Sequence, residues 1–155
     1  MGMELSLLVL DYLDNHLFDD ISIDSIAIIF GYDKSYLMKR FKSDIGVSIK
    51  TYINQKKIMN SLSLLDDDES LLYVALNSGY NSLEYYSEMF SKVIGVSPSV
   101  YKKYLISSCS DDEEVLINST LTAIEEFNNR LMMYRNEYRK NSYSLTLCNN
   151  KKKCA

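Results

Sequence analysis

The side chains best able to bind a polyanion are concentrated in one part of the chain. Residues 31–60 hold seven Lys and Arg residues against two acids, whereas residues 1–30 hold six acids and no Lys or Arg. Lysine and arginine contact phosphate oxygens, and lysine also donates to guanine O6 and N7 in the major groove. The seven are Lys34, Lys39, Arg40, Lys42, Lys50, Lys56 and Lys57. This distribution indicates a nucleic-acid-binding segment, although basic residues on a helix are also typical of an ordinary solvated surface.

The chain as a whole has the composition of a soluble globular protein. Its 155 residues suffice for one domain, and no stretch approaches the roughly 18 apolar residues that a membrane span needs. The first residues have neither a basic start nor a cleavage site, so we expect no secretory signal. Cys109, Cys148 and Cys154 indicate neither a disulfide framework nor a zinc site. We therefore expect a cytoplasmic, nucleoid-associated protein that contacts no membrane. Its net charge of −4 argues against DNA binding, but residues 31–60, with seven bases and two acids, carry +5.

Two segments of the chain repeat the same skeleton: an alanine, a Gly-Tyr pair, two further aromatic residues, a Gly-Val-Ser triplet and a last tyrosine. In the first segment these are Ala27, Gly31-Tyr32, Tyr36, Phe41, Gly46-Val47-Ser48 and Tyr52. In the second they are Ala75, Gly79-Tyr80, Tyr85, Phe90, Gly95-Val96-Ser97 and Tyr101. The one inserted residue falls in a predicted turn, where it is easily absorbed. Two helices joined by a glycine-containing turn are typical of a helix-turn-helix unit, so the sequence predicts two units, at about 22–46 and 70–95.

Apolar periodicity and capping residues predict an all-α fold with seven helices in residues 1–105. The helices cover about residues 4–16, 23–30, 34–43, 48–65, 70–78, 83–93 and 98–105. The candidate N-caps are Ser22, Asp33 and Ser48, then Glu69 or Ser70, and Asn81 or Ser82. The linker helix, at about 48–65, would set the spacing between the units. The residues expected to face inward on the second helix of each unit are Tyr36, Leu37 and Phe41, and Tyr85, Tyr86, Met89 and Phe90.

Residues 4–105 resemble the DNA-binding domain of the AraC/XylS family of bacterial transcription regulators, including its small stand-alone members. The residues that carry the resemblance include Gly31-Tyr32, Tyr36-Leu37, Arg40-Phe41-Lys42, Gly79-Tyr80, Tyr85-Tyr86-Ser87 and Ser97-Pro98-Ser99-Val100-Tyr101-Lys102. The resemblance implies a seven-helix, homeodomain-like double helix-turn-helix domain. It also implies that the second helix of each unit enters the major groove of double-stranded promoter DNA, the two helices reading neighbouring groove segments on one face.

The resemblance also implies which residues contact DNA. The base-reading positions are Ser35, Met38 and Lys39 in the first unit, and Leu83, Glu84, Ser87 and Glu88, preceded by Ser82, in the second. Lys39 has the chemistry of a guanine reader. The phosphate contacts would be Lys34, Arg40, Lys42, Lys50, Lys56 and Lys57, with backbone amides near Ser48 and Ser97. Arg40 has a second interpretation, as a buried structural residue.

The second unit departs from the family pattern because its recognition helix is acidic. Glu88 and Ser91 stand where the family usually has basic residues, and Glu84 adds a second acid. Glutamate accepts a hydrogen bond from cytosine N4 but releases no counterions from the phosphates. We therefore expect the first unit to do most of the binding. The second would contribute weakly, read cytosine, or serve as a protein-contact surface.

Residues 106–155 form an appendage with a basic tail. A helix is expected from the acids at 111–114 to about residue 140, with a disordered lysine tail at 151–153. Its apolar stripe consists of Ile117, Leu121, Ile124, Leu131 and Tyr138, interrupted by Asn128 and Arg135. The stripe has two interpretations: it packs on the chain's own domain, or it forms a homodimer through about residues 112–140.

No residue pattern in the chain indicates an enzyme, a cofactor or a metal site. The one histidine, His16, lies at the polar end of the first predicted helix, and the acidic run at 66–69 lacks the ligand spacing of a calcium loop. The alternative to a DNA-binding regulator is a protein-interaction regulator of the same fold, which would bind a transcription factor or RNA polymerase with little DNA binding of its own. RNA polymerase is also a candidate second partner of the DNA-bound protein.

Overall fold

The computed structural model describes residues 3–66 and 68–153, with side chains to residue 142, and this part of the chain is all α-helical. Its helices are α1 (Glu4–Asn15), α2 (Ile23–Phe30), α3 (Lys34–Ile45), α4 (Ile49–Ser61), α5 (Leu71–Asn77), α6 (Leu83–Ile94), α7 (Pro98–Leu105) and α8 (Asp111–Lys153). A 3₁₀ turn, Leu62–Leu64, follows α4. The predicted all-α class is confirmed, with α2–α3 and α5–α6 as the two helix-turn-helix units. Within these residues, no helix is both long and apolar enough to cross a membrane.

Short polar side chains begin both helices of each unit, as the sequence predicts. Ser22 accepts a hydrogen bond from the Ser25 amide at 3.0 Å, and Asp33 accepts one from the Tyr36 amide at 3.1 Å. In the second unit, Ser70 and Ser82 are the caps rather than Glu69 and Asn81. Each cap satisfies an amide that has no partner within the helix, which stabilises the fold by about 1 kcal/mol.

The turn of the second unit requires glycine for two reasons. Gly79 has φ +86°, a backbone conformation that residues with a β-carbon rarely adopt. A β-carbon at this position would also lie 3.3 Å from Phe18 Cδ1 and 3.4 Å from Lys57 Cε. The turn of the second unit therefore lies directly against the α1–α2 loop and α4.

Each unit has a core of its own. The first core contains Leu10 and Leu13 of α1, Ile26 of α2, and Leu37 and Phe41 of α3. The second core contains residues of α5, α6 and α7, among them Val74, Ala75, Tyr86, Phe90, Ile94 and Tyr101. The linker helix α4 joins them, because Ile49 and Tyr52 lie in the first core and Ile58 lies in the second. It ends at Ser61, not at residue 65, because the chain tightens into the 3₁₀ turn there.

Two tyrosines expected to face inward are exposed. Tyr36 is 49% exposed and Tyr85 is 39% exposed, whereas their neighbours Leu37 and Tyr86 are buried. The prediction was wrong because each tyrosine lies at the edge of its helix's buried face, and the buried positions are centred one residue later. Tyr36 instead stacks on Tyr32, with ring centroids 5.6 Å apart.

The C-terminal helix α8 packs on the chain's own domain. Ile117, Ile124 and Leu131 of its predicted stripe are all buried, so the stripe follows the first of the two interpretations. The helix continues to Lys153, so the predicted end near residue 140 and the disordered lysine tail were wrong. Residues 111–153 contain neither glycine nor proline, the two residues that most readily end a helix.

Candidate nucleic-acid interface

The outer face of α3 presents most of the predicted DNA-contacting residues of the first unit. Leu37, Phe41 and Ile45 are buried on the inner face and fix how the helix is turned. The opposite face is exposed and consists of Lys34, Ser35, Met38, Lys39 and Lys42. The packing that buries the inner face therefore directs this polar and basic set to solvent.

The lysines of this face differ in how they are partnered. Lys34 lies 3.0 Å from Asp24 Oδ2 in an exposed ion pair, which contributes little to stability and is readily exchanged for a phosphate. Lys39 and Lys42 form no ion pair among the residues that the structure describes. Their charges are thus available to a polyanion.

Arg40 lies off this face and has a structural partner. Its Nε lies 3.0 Å from Asp44 Oδ2, with one third of the arginine side chain exposed. The same Asp44 oxygen accepts a 2.7 Å hydrogen bond from the hydroxyl of Ser6. Arg40 therefore supports the link between α1 and α3, which favours the second interpretation of this residue.

The three lysines of α4 lie on two sides of that helix. Lys50 and Lys57 line a groove of about 770 Å³ between the two units, together with Tyr80, Ser82 and Tyr85. The Lys57 ammonium lies 5.7 Å from the centroid of the Tyr80 ring. Burial lowers the pKa of Lys57, and the charge of Asp20 partly opposes that effect.

Lys56 does not belong to this groove. It lies over the Tyr52 ring at 5.5 Å and lines a separate pocket beside Arg135 and Arg139 of α8. The structure therefore brings Lys50 and Lys57 together and separates Lys56 from them. It also adds Asp19 and Asp20 to the rim of the groove. No sequence pattern indicated these two acids, because the fold alone brings the α1–α2 loop to α4.

The outer face of α6 is acidic where that of α3 is basic. In the repeat alignment, Glu84 stands opposite Ser35 and Glu88 opposite Lys39. Glu84 is exposed and forms no ion pair within the described residues, whereas Glu88 lies 3.0 Å from Lys92 Nζ.

The other predicted contacts of α6 are less accessible. Leu83 packs against the second core, Ser87 is half-buried, and the hydroxyl of Ser82 accepts the Tyr85 amide. Two units with one skeleton thus present opposite charge at one matching position, Lys39 and Glu88, and a neutral residue opposite an acid at another, Ser35 and Glu84.

The comparisons with known proteins agree with this architecture. A family model described as a helix-turn-helix domain matches residues 17–104. An uncharacterized HTH-type transcriptional regulator of Staphylococcus aureus is 24% identical over 132 residues, which are 84% of this chain and 17% of that protein. The HTH-type transcriptional regulator YbfP of Bacillus subtilis is 24% identical over 106 residues, 68% of this chain and 36% of that protein. The chain therefore spans less than a fifth of the first relative and about a third of the second.

Solved structures share the fold. The C-terminal domain of AraT, a response regulator from Geobacillus stearothermophilus, superposes with a TM-score of 0.58 at 24% identity, over 64% of this chain and 84% of that one. The DNA-binding domain of the transcriptional factor AdpA, in complex with a target DNA, superposes with a TM-score of 0.55 at 21% identity, over 63% and 88%. Together with the repeated units and a family match over more than half of its length, these findings show that the chain belongs to the AraC/XylS family of helix-turn-helix transcription regulators.

Proposed function

We propose that this chain is a sequence-specific DNA-binding regulator that inserts α3 into one major-groove segment and α6 into the next. The observation that carries the proposal is the outer face of α3, where Lys39 and Lys42 are exposed and without an ion pair among the described residues. An α-helix fits the major groove, and lysine at such a position donates to guanine. Lys34 and Lys50 contact neighbouring phosphates. Lys57 contacts the DNA backbone where it passes the protein groove between the two units.

Residues 1–105 form the DNA-contacting domain in this proposal, and residues 106–155 are an appendage. The protein acts at the nucleoid in the bacterial cytoplasm without catalysis of its own, and RNA polymerase is a candidate second partner. A homodimer through residues 112–140 would have to use the exposed side of α8, because Ile117, Ile124 and Leu131 are already buried within the chain. A regulator that binds only proteins remains the alternative, and the titration below separates the two.

Fluorescence anisotropy with duplex DNA tests the proposal directly. Four lysines at phosphates, Lys34, Lys42, Lys50 and Lys57, predict that log Kd rises with log salt with a slope of about 3.6, so affinity falls about 150-fold between 50 and 200 mM salt. Host-promoter DNA should bind more tightly than random duplex. Absence of binding to either DNA at low salt would contradict the proposal and favour the protein-binding alternative.

The acidic face of α6 limits affinity, and replacing it should strengthen binding. Changing Glu84→Lys and Glu88→Lys together exchanges two charges that repel phosphate for two that attract it. We expect about a tenfold gain in affinity for random duplex and a salt slope steeper by about 1 to 2. The matched control changes Glu126→Lys and Glu137→Lys on the exposed side of α8, with the same change in net charge. An equal gain in the control would show that α6 does not lie at the DNA.

A further inference from the structure

The two cores of the protein are connected by a second helix besides the linker. Among the described helices, only α4 and α8 place residues in both cores. From α8, Ile117 and Ile124 are buried in the second core, with Leu121 packed beside them. Leu131 is buried in the first core, with Phe127 and Tyr138 packed against it. Thus α8 spans the junction between the units, and its apolar residues pack in both cores independently of α4.

Polar contacts anchor the far half of α8 to the first unit. The guanidinium of Arg135, with its side chain 20% exposed, donates from Nη2 to Asp14 Oδ2 at 2.8 Å, and its Nε lies 3.5 Å from Asp11 Oδ1. Asp14 also accepts a 2.7 Å hydrogen bond from the hydroxyl of Tyr52. The Tyr138 hydroxyl donates to Glu4 Oε1 at 3.0 Å. Arg135, which interrupts the apolar stripe, therefore joins α8 to α1 and, through Asp14, to α4.

We propose that α8 is a strap that holds the two helix-turn-helix units at one fixed separation, and that Arg135 is the positioning residue that anchors it. Apart from α8, the two units are joined by α4 and by the contact of the Gly79 turn with the α1–α2 loop. So small an interface allows domain motion by default. A second connection on another side of α4 removes that freedom. The family match ends at residue 104, before α8 begins, so this strap lies outside the part of the chain that defines the family.

The length of the strap suits a DNA reader, and this step rests on the proposed function. The packed part of α8, residues 117–138, is about 32 Å long at 1.5 Å per residue. Major-groove segments on one face of B-DNA recur every 34 Å or so. A rigid separation lets the second helix bind at a high effective concentration once the first has bound. It also makes the protein selective for one spacing between the two DNA segments.

The strap is tested without DNA by measuring the distance between the units. Spin labels are placed at Ile28→Cys in α2 and Leu76→Cys in α5, which are repeat-equivalent and exposed, in a background with Cys109, Cys148 and Cys154 changed to serine. Pulsed electron spin resonance should give a narrow distance distribution for this protein. Arg135→Ala should broaden it about twofold or more, and Arg135→Lys should partly restore it. Arg130→Ala removes an exposed arginine of the same helix and should leave it narrow.

A broad distribution in the parent protein, or a narrow one in Arg135→Ala, would overturn the proposal. Should Arg135→Ala fail to fold by circular dichroism, Asp14→Asn removes the same anchor from the other side and must broaden the distribution instead.

DNA spacing gives the second readout. The DNA site is selected by the parent protein from random duplexes, and Arg135→Ala should bind it about tenfold more weakly. The variant should also lose most of the parent's preference for this site over one in which the two contacted segments are about 2 base pairs further apart. A merely structural role would weaken binding at both spacings equally, and that result would overturn the spacing role of Arg135. If the parent binds no DNA yet gives a narrow distance distribution, the strap stands and the proposed function fails.

Discussion

The substitution Lys39→Glu should abolish specific DNA binding, with an affinity about 100-fold or more below that of the parent protein. The lost hydrogen bonds to a guanine account for about 1 to 3 kcal/mol. The new carboxylate adds repulsion from the phosphates on both sides of the groove. Lys39 is exposed on α3 and forms no ion pair among the described residues, so the change removes no observed ion pair and folding should be unaffected.

The control for this variant is Lys103→Glu, which changes the net charge by the same amount on α7. Lys103 is exposed and has no predicted contact with DNA. Anisotropy titration at one fixed salt concentration compares the two, and circular dichroism checks that both are folded. Equal losses for the two variants would mean that only the overall charge matters. Full affinity for Lys39→Glu would show that α3 does not enter the groove.

The fold was predictable because the residue pattern of a helix-turn-helix unit occurs twice in the sequence. The Gly-Tyr pairs gave the turns, and the short polar residues before each helix gave the caps, as Ser22 and Asp33 show. Buried positions such as Phe41 and Phe90 recur at the same place in each repeat. Tyr36 and Tyr85 also recur, yet both are exposed, because a repeat fixes equivalence of position and not burial.

The arrangement around the candidate site was less predictable, because it depends on contacts distant in sequence. Arg135 lies 121 residues from Asp14, and neither residue belongs to a motif. The separation of Lys56 from Lys50 and Lys57 follows from the helical period of α4, because residues seven apart share a face. Which side of α4 faces the second unit and which faces α8 depends on tertiary packing. Local patterns thus predicted the polar and basic residues that are exposed on α3, but not the exposure of Tyr36, while tertiary packing decided what each basic residue lies against.

The two units share one fold, but the exposed faces of their second helices, α3 and α6, differ in charge. The second helix of each unit buries an apolar inner face in the core of its own unit, while the exposed outer faces carry different residues. Lys39 and Glu88 occupy equivalent positions with opposite charge, and Arg40, tied to Asp44, is replaced by the buried Met89. Such a protein would gain affinity from the first unit and discrimination from the second. The strap would then be needed to keep a weakly binding unit in register with a strongly binding one.

Four buried tyrosines, one in the first core and three in the second, should make the protein unfold steeply in alkali. Burial raises the pKa of Tyr52, Tyr80, Tyr86 and Tyr101 above the usual value near 10, and the hydrogen bond to Asp14 adds to this effect at Tyr52. A tyrosine whose pKa is raised in the folded state contributes to the free energy of unfolding, and this contribution is complete below pH 10. The contribution is lost as the pH rises further, because the unfolded chain releases these protons first.

The four tyrosines together predict a large effect. Each tyrosine that stays protonated in the folded state lowers the free energy of unfolding by about 1.4 kcal/mol per pH unit above 10. A domain of this size has about 5 to 15 kcal/mol in total, so unfolding is expected at about pH 11 or above. The chain has no tryptophan, so absorbance at the tyrosinate band reports ionisation directly, and far-ultraviolet circular dichroism reports unfolding. We expect the four buried tyrosines to ionise together with the loss of helix.

The variant Tyr101→Phe identifies the cause of this alkaline transition. It keeps the buried ring, which packs 5.6 Å from Phe90, and removes one hydroxyl whose pKa is raised by burial. The midpoint should therefore move to higher pH, and the transition should lose one coupled proton. Tyr32→Phe removes an exposed hydroxyl instead and should leave the midpoint unchanged. If the two variants unfold at the same pH, surface charge rather than the buried tyrosines drives the transition, and the packing of the second core around Tyr101 is looser than the structure shows.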